Sequence, residues 1–305
     1  MRNAWTLTKV RMRLALRNRA FIFFSLIFPL IFLFLFLGAA VRLFARGSVT
    51  AVPYMLASVL ALTVMGSFWG LSVQLVTFRE QGILRRFRVA PVGPGAMLAS
   101  SILSNYILTL PTVIIEFALA RRVFHMSDWG NLGGVFLLVS LGIVTFAALG
   151  LIIASVTNST QETQVINQIL WSAFLFLSGA TVPLPVLPIW IQRFALFLPA
   201  TYLVTGLERV LVAHVGITQI GAEITALAVS AALAFFLSQQ LFRWEPEAKV
   251  GSRAKALALA TIVPFLLLGL WETTRGDLRS TARTDFLSIE RSVPAERQAP
   301  PSATH

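Results

Sequence analysis

The chain contains no cysteine in its 305 residues, and only 12% of its residues are charged. The lack of cysteine excludes disulfide bonds, zinc sites with cysteine ligands and thiol catalysis. Soluble domains carry about 25% charged residues, whereas this chain is 56% hydrophobic and has a mean hydropathy of +0.78. The composition therefore excludes an ordinary soluble domain and indicates one integral membrane domain.

Sequence motifs for common catalytic sites are also absent. The chain has no G-x-x-x-x-G-K-[ST] loop to hold ATP phosphates, no HExxH and no GxSxG. Its three histidines, His125, His214 and His305, lack the spacing of metal ligands. We therefore expect no enzyme activity, no metal site and no directly bound cofactor.

The placement of the basic residues accounts for the net charge of +12 without a nucleic-acid partner. They lie in short clusters beside apolar segments, where lysine and arginine set membrane topology and meet anionic lipid. We therefore expect no nucleic-acid partner.

Six stretches have the length and apolar character of a membrane-crossing helix, which needs about 20 residues. They cover residues 20–41, 53–76, 97–120, 132–154, 165–187 and 220–242. The first stretch exceeds the apolar core of a signal peptide, so we expect it to be retained. The sequence thus predicts an all-α membrane protein with six spans.

The connections between these spans differ in basic charge. The connections on the side of the amino terminus carry fourteen lysines and arginines, and those on the opposite side carry six. By the positive-inside rule, the amino terminus and residues 78–94 are expected in the cytoplasm.

The two ends of the chain differ from the centre. Residues 1–19 form a predicted amphipathic helix along the inner membrane surface, although anionic lipid alone would explain its basic stripe. Residues 243–271 join a basic linker to an apolar stretch, 256–271, that is either a seventh span or an interfacial helix. We expect the tail, 272–305, to be disordered.

The segment 78–94, FREQGILRRFRVAPVGP, predicts an amphipathic cytoplasmic helix over 79–90. Its apolar face groups Ile83, Leu84, Phe87 and Ala90, and Pro91 ends it. Glu80 lies within this apolar face. It either complements the helix dipole or contacts a docking partner.

The sequence FREQGILRRFRVAPVGPGAMLASSIL resembles the cytoplasmic stretch of type-2 ATP-binding-cassette (ABC) permeases, R-E-x-G-x-L-x-R-x-R-x-x-P. Residues 176–211, FLSGATVPLPVLPIWIQRFALFLPATYLVTGLERVL, are similar to the second signature of that family. The resemblance covers about residues 1–242. It leaves the apolar stretch 256–271 without a counterpart.

The resemblance implies that 79–90 is a coupling helix, which rests on a separate ATPase subunit that binds ATP and Mg²⁺. Residues 1–19 would be the connecting helix, and a second permease copy, identical or related, would complete a dimer. The implied coupling residues are Arg79, Glu80, Gly82, Leu84, Arg85, Arg86 and Arg88. The expected location is the bacterial inner membrane.

Prolines mark a second candidate site before the sixth span. Backbone interrupted by proline is tolerated at membrane depth only where protein or water satisfies it, which favours a re-entrant outer hairpin that would cap an outward gate. An ordinary outer loop with an aromatic belt is the alternative. The predicted gate residues are Pro183, Pro188, Trp190, Pro199 and Tyr202, with Phe194 and Phe197 beside them.

Small and polar residues form two stripes that predict either helix packing or the lining of a substrate pathway. The resemblance favours the pathway. The lack of charge in both stripes favours an amphipathic or lipid-linked cargo. The residues are Thr63, Ser67, Gly70 and Gln74 on the second span, and Gln164, Gln168, Trp171, Ser172, Leu175 and Gly179 on the fifth.

Two acidic residues, Glu116 and Glu223, lie within or beside the predicted spans. Intramembrane acids are functional candidates, but both lie near span ends, where we expect them to reach water or pair with Arg121 or Arg122. The leading hypothesis is an ATP-driven exporter subunit that works by alternating access. A secondary carrier driven by ions is the alternative, and a membrane enzyme lacks clustered catalytic groups.

Overall fold

The computed structural model describes residues 51–84, 93–126 and 129–242, together with residues 12, 13, 17, 23, 27, 30–35, 266, 267, 269 and 270. Within these residues the secondary structure is helical, and no strand occurs. The predicted connecting helix (1–19), most of the first span (20–41) and most of 243–305 lie outside the described residues. Their predicted structures stay predictions.

Eight α-helices form the described part of the molecule. They are α1 (Ala51–Met65), α2 (Ser67–Glu80), α3 (Pro94–Arg122), α4 (Leu132–Val156), α5 (Thr160–Leu177), α6 (Ile189–Ala195), α7 (Pro199–Leu211) and α8 (Gly221–Leu241). Two short 3₁₀ helices, Leu184–Val186 and Ile217–Ile220, precede α6 and α8.

Four helices are long and apolar enough to cross a membrane: Val52–Glu80, Pro94–Arg122, Leu132–Val156 and Ile217–Leu241. The first combines α1 and α2 into one rod, because Gly66 still donates its N–H to the Leu62 carbonyl. These helices match the predicted second, third, fourth and sixth spans with extra turns at the ends. The six-span count itself stays a prediction.

The prediction for the fifth span was wrong in its bounds. Helix α5 begins five residues before residue 165 and ends at Leu177, ten residues before residue 187. Ser159 starts α5 early, because its side chain accepts a hydrogen bond from the Glu162 N–H and caps the helix. The prolines after residue 182 remove backbone donors, so the apolar run that follows cannot continue as one helix.

Helices α6 and α7 form a sharply bent pair. Their axes meet at 99° across a break of three residues, as in a re-entrant loop or a broken span. Pro199 occupies the first turn of α7, where a missing N–H costs nothing. The hydroxyl groups of Thr201 and Tyr202 donate to the Ala195 and Leu196 carbonyls, at 2.7 and 2.9 Å, and hold the turn.

The core lies around α4 and the rod formed by α1 and α2. About 78% of the most apolar window of the Val52–Glu80 rod is buried in the protein, compared with 33% for α3. Gly150 of α4 allows close packing, because a Cβ there would lie 2.5 Å from the Phe68 carbonyl oxygen. Helix α5 packs on α2, the second half of the rod, so these two helices position the candidate site.

Candidate coupling site and transport surface

The candidate coupling site begins at the end of α2, where Arg79 turns inward. Its side chain is 3% exposed. Nη1 donates to the Ala154 carbonyl at 2.8 Å, and Nη2 donates to the Thr157 carbonyl at 2.5 Å. These carbonyls belong to the last turn and cap of α4, so the guanidinium satisfies acceptors that a helix end leaves unpaired.

Glu80 follows directly and binds the next helix. One carboxylate oxygen accepts a hydrogen bond from the Thr160 N–H at 2.8 Å, and the other accepts from the Thr160 hydroxyl at 2.5 Å. Thr160 is the first residue of α5. The expectation that Glu80 complements the dipole of its own helix was therefore wrong, because the amino terminus that it complements is that of α5.

These contacts correct the predicted start of the coupling helix. Arg79 and Glu80 belong to the last turn of α2 rather than to the first turn of a new helix. Gly82 then makes a corner at φ +66°, and helical residues resume at Ile83 and Leu84. The new segment therefore begins after Gly82.

Leu84 anchors that segment, because its side chain is 1% exposed and packs in an apolar cluster with Leu75 and Met97. Arg85, Arg86 and Arg88 lie outside the described residues. Their predicted contact with an ATPase stays a prediction.

The predicted pathway stripe on the second span divides into two halves. Thr63 and Ser67 are buried, and the Thr63 hydroxyl donates to Glu116 Oε1 at 2.5 Å. Gly70 is exposed, and Gln74 is half-buried. Only the half of the stripe toward Glu80 is therefore open at the surface of the single chain.

The predicted stripe on α5 is open over most of its length. Gln164 and Gln168 are exposed, and Ser172 and Leu175 are half-buried. Trp171 differs, because its ring packs against Phe68 and Trp69 of α2 with centroid distances of 6.4 and 6.3 Å.

Gly179, which follows the end of α5, is buried at φ +97°. It lies in the turn toward the hairpin, and Tyr54 donates to its carbonyl at 3.5 Å. Gly179 is thus a turn residue in the single chain rather than part of an open surface.

A buried polar pair between α2 and α5 escaped the sequence analysis. Asn167 Nδ2 donates to Ser72 Oγ at 2.8 Å, and neither side chain is exposed. Thr77 and Thr160 form a second contact, with 3.3 Å between their hydroxyl oxygens. The polar residues of α5 were visible in the sequence, but their partners lie 83 to 95 residues away.

The predicted gate residues lie on the bent pair, but not all of them at its surface. Pro183 and Pro188 precede the 3₁₀ turn and α6, and Trp190 of α6 is 68% exposed. Pro199 and Tyr202 of α7 are buried. Tyr202 therefore lies inside the protein and not in an aromatic belt, because its hydroxyl binds the Leu196 carbonyl.

The two acids are both buried, contrary to the prediction that they reach water. Glu116 of α3 is fully buried against Thr63. Glu223 of α8 is also fully buried and pairs with Arg209 at 2.6 Å, rather than with Arg121 or Arg122. Their positions near span ends were visible in the sequence, but the neighbouring helices that bury them were not.

The profile of the family described as ABC-2 type transporter matches residues 2–212. The chain belongs to the ABC-2 type transporter family. This membership confirms the predicted family and an all-helical, multi-pass membrane protein of the permease class.

Three bacterial permeases are similar in sequence to this chain. The linearmycin resistance permease LnrN of Bacillus subtilis is 26% identical over 177 residues, 57% of this chain and 45% of LnrN. The probable doxorubicin resistance ABC transporter permease DrrC of Mycobacterium tuberculosis is 26% identical over 139 residues, 45% of this chain and 50% of DrrC. The putative transport permease YvfS of B. subtilis is 22% identical over 200 residues, 64% of this chain and 80% of YvfS. The chain spans about half the length of LnrN and DrrC.

Proposed function

We propose that this chain is the membrane subunit of an ATP-driven exporter. It moves an amphipathic or lipid-linked cargo out of the cytoplasm by alternating access. A separate ATPase subunit supplies the energy, and a second permease copy, the same chain or a related one, completes the pathway. The chain itself contributes no catalytic residue.

The main structural support for this proposal is the turn of the backbone at Gly82. The Val52–Glu80 rod is about 44 Å long at 1.5 Å per residue, which exceeds the hydrocarbon thickness of about 30 Å. One end of the rod can therefore extend past the lipid. We place that end at Gly82, where the backbone turns at φ +66° and the sequence continues into the segment with three arginines. A rigid rod with a bent end outside the membrane is suited to receive force from a subunit on that side.

The ATPase subunit is inferred from the chain's own composition and from its relatives. The sequence holds no phosphate-binding loop, so hydrolysis of ATP with Mg²⁺ would fall to a partner. DrrC is named as an ABC transporter permease. The side of residues 83–90 is the cytoplasm in this proposal, and the charge bias of the connections supports that orientation.

The exposed face of α5 supports a second permease copy. Gln164 and Gln168 are exposed on a helix that packs among membrane spans. Polar side chains facing lipid are unfavourable, and amide side chains commonly hydrogen-bond across helices in membranes. A second copy, or a water-filled path between the two copies, would satisfy these amides.

The cargo proposal follows from the same surface. The surface residues Gly70, Gln74, Gln164 and Gln168 are uncharged, so they offer hydrogen bonds beside apolar surface rather than a site for a bare ion. The names of LnrN and DrrC refer to linearmycin and doxorubicin resistance. An amphipathic drug is therefore the first cargo to test.

The experiment is co-purification of the ATPase expressed with a tagged permease. Replacing Arg86 with Glu should reduce the recovered ATPase, because this reverses a charge on the proposed docking segment. The matched control is Arg193→Glu, which reverses an exposed charge on α6. Equal recovery from both variants would contradict the docking segment.

A secondary carrier remains a second candidate because of Glu116. This acid is fully buried, and among the described residues its Oε2 has no hydrogen-bond partner. Buried intramembrane acids can bind transported protons. Export that stops with a protonophore but continues without ATP would support the carrier.

A further inference from the structure

The loop between α4 and α5 is held from one side by two adjacent residues of α2. Arg79 donates to two carbonyls at the end of α4, and Glu80 accepts from the first residue of α5. A cation thus meets a carboxyl-terminal helix end, and an anion meets an amino-terminal helix end. Both contacts match the partial charges of the helix ends.

The loop itself is short and internally bonded. Ser159 Oγ accepts from the Glu162 N–H at 3.1 Å, and Glu162 Oε2 accepts from the Asn158 N–H at 2.7 Å. Thr163 Oγ1 donates to Thr157 Oγ1 at 2.8 Å. Reciprocal bonds of this kind resemble a capping box and fix the direction in which a helix begins. The loop therefore moves as a unit with the start of α5.

Further contacts tie α2 to α5 along their length. The Thr77–Thr160 contact lies next to Glu80, and the buried Ser72–Asn167 pair lies deeper. Trp171 adds ring contacts with Phe68 and Trp69. A displacement of the end of α2 would thus be transmitted to α5 through contacts at several positions along the two helices.

We propose that Arg79 and Glu80 are positioning residues that form an internal clamp, carrying movement of the segment after Gly82 into α5. The proposal rests on the proposed function, because the ATPase moves that segment. Both carboxylate oxygens of Glu80 bind Thr160, so this acid acts within the permease. In this account the ATPase meets the arginines beyond Gly82, and Glu80 is not its contact.

Thr160 gives the test, since it lies on a different helix from the docking segment. Thr160→Val removes the hydroxyl that binds Glu80 and keeps the backbone N–H and the side-chain volume. Thr160→Ser keeps the hydroxyl. Gln161→Ala is the control, because Gln161 is the exposed neighbour in the same turn. The variant Glu80→Gln and a double variant that combines Glu80→Gln with Thr160→Val complete a double-mutant cycle.

The readouts are cargo moved per ATP hydrolysed and ATPase recovered with the purified permease. A lost hydrogen bond of about 1 kcal/mol corresponds to about a fivefold change. We expect Thr160→Val and Glu80→Gln each to lower cargo moved per ATP about threefold to tenfold, with ATPase recovery unchanged. The double variant should be no worse than the stronger single variant, because both remove one interaction. Thr160→Ser and Gln161→Ala should match the wild type.

Three results of these assays would overturn the clamp. They are a loss of bound ATPase in Glu80→Gln, normal coupling in Thr160→Val, or additive effects in the double variant. If the wild type shows no ATP-dependent export, the proposed function fails. The contact between Glu80 and Thr160 can then still be tested by cross-linking, which does not depend on export. Since the chain has no cysteine, Glu80→Cys with Thr160→Cys should be joined in membranes by a short thiol cross-linker. No cross-link would overturn the clamp.

Discussion

Asn167 of α5 donates a hydrogen bond to Ser72 of α2 across 2.8 Å, and both side chains are fully buried. Ser72 Oγ also lies 3.2 Å from Asn167 Oδ1 and 3.0 Å from the Trp69 carbonyl. The pair therefore joins α2, which leads to the docking segment, to the candidate pathway helix α5 inside the protein. A polar pair at this place fixes how the two helices align.

Asn167→Ala should destabilise the protein by about 1 kcal/mol, because interhelical hydrogen bonds in membranes contribute about 0.6 kcal/mol on average and removal also leaves a gap. The measurement is the thermal unfolding midpoint in detergent. Gln161→Ala, at an exposed position in the first turn of the same helix, is the control and should leave the midpoint unchanged. Equal midpoints for both variants would show that the pair contributes nothing.

Gly82 should tolerate side chains according to their backbone preference rather than their size. A Cβ at Gly82 would meet no atom within 4 Å, but φ is +66°. That conformation costs most residues about 1–2 kcal/mol, and Asn adopts it more readily. We therefore expect Gly82→Ala to lower ATP-dependent export more than Gly82→Asn.

Gly93 provides the control for Gly82. It also has open space around its Cβ position, but its φ is −70°. Gly93→Ala should therefore leave export unchanged. If Gly82→Ala were as harmless as Gly93→Ala, the corner would not need its left-handed backbone.

A substitution at Glu116 distinguishes the two proposed energy sources, ATP hydrolysis and a proton gradient. Glu116→Gln keeps an acceptor for the Thr63 hydroxyl and removes the ionisable group. In an ATP-driven exporter, this variant should retain ATP-dependent export. Loss of export in Glu116→Gln, with normal amounts of protein in the membrane, would instead favour a carrier that binds a proton at this acid. Thr63→Val is the matched control, since it removes the hydrogen bond and leaves the acid.

The helices were largely predictable because hydropathy and length report how much backbone can lie in lipid. Residues 53–76 and 132–154 fall inside observed helices, Val52–Glu80 and Leu132–Val156. Hydropathy does not report polar helix ends, so the last turn of α2 and the first turn of α5 were missed. Both polar turns belong to the candidate coupling site.

The contacts of the site were not predictable from one sequence. Arg79 has the composition and position of a docking residue, yet its partners are carbonyls 75 and 78 residues further along the chain. A helix wheel places Glu80 on a face without saying which helix end lies beside it. The proline run, in contrast, correctly indicated interrupted helices before the sixth span.

The carboxyl-terminal tail should lie on the side of the membrane opposite to the α4–α5 loop. Gly269 packs on Phe197 of the α6–α7 turn, since a Cβ there would lie 2.5 Å from Phe197 Cδ1. The end of α8 lies at the other side, where Gln239 contacts the Gly95 position beside the start of α3. We therefore predict that the chain crosses the membrane between Leu241 and the carboxyl-terminal tail.

This topology can be measured with single cysteines, because the chain has none. Ser292→Cys should react with an impermeant maleimide from the same side as Trp190→Cys. Asn158→Cys, in the exposed α4–α5 loop, should react from the opposite side. Labelling of Ser292→Cys together with Asn158→Cys would rule out the seventh span.

The central claim is that this permease is driven from inside the cell by a separate ATPase. The direct measurement is uptake of a fluorescent amphipathic drug into inside-out vesicles that contain the permease, with ATP supplied, and with or without the co-expressed ATPase. The account predicts uptake only when both the ATPase and hydrolysable ATP are present. Equal uptake in vesicles that lack the ATPase would contradict it.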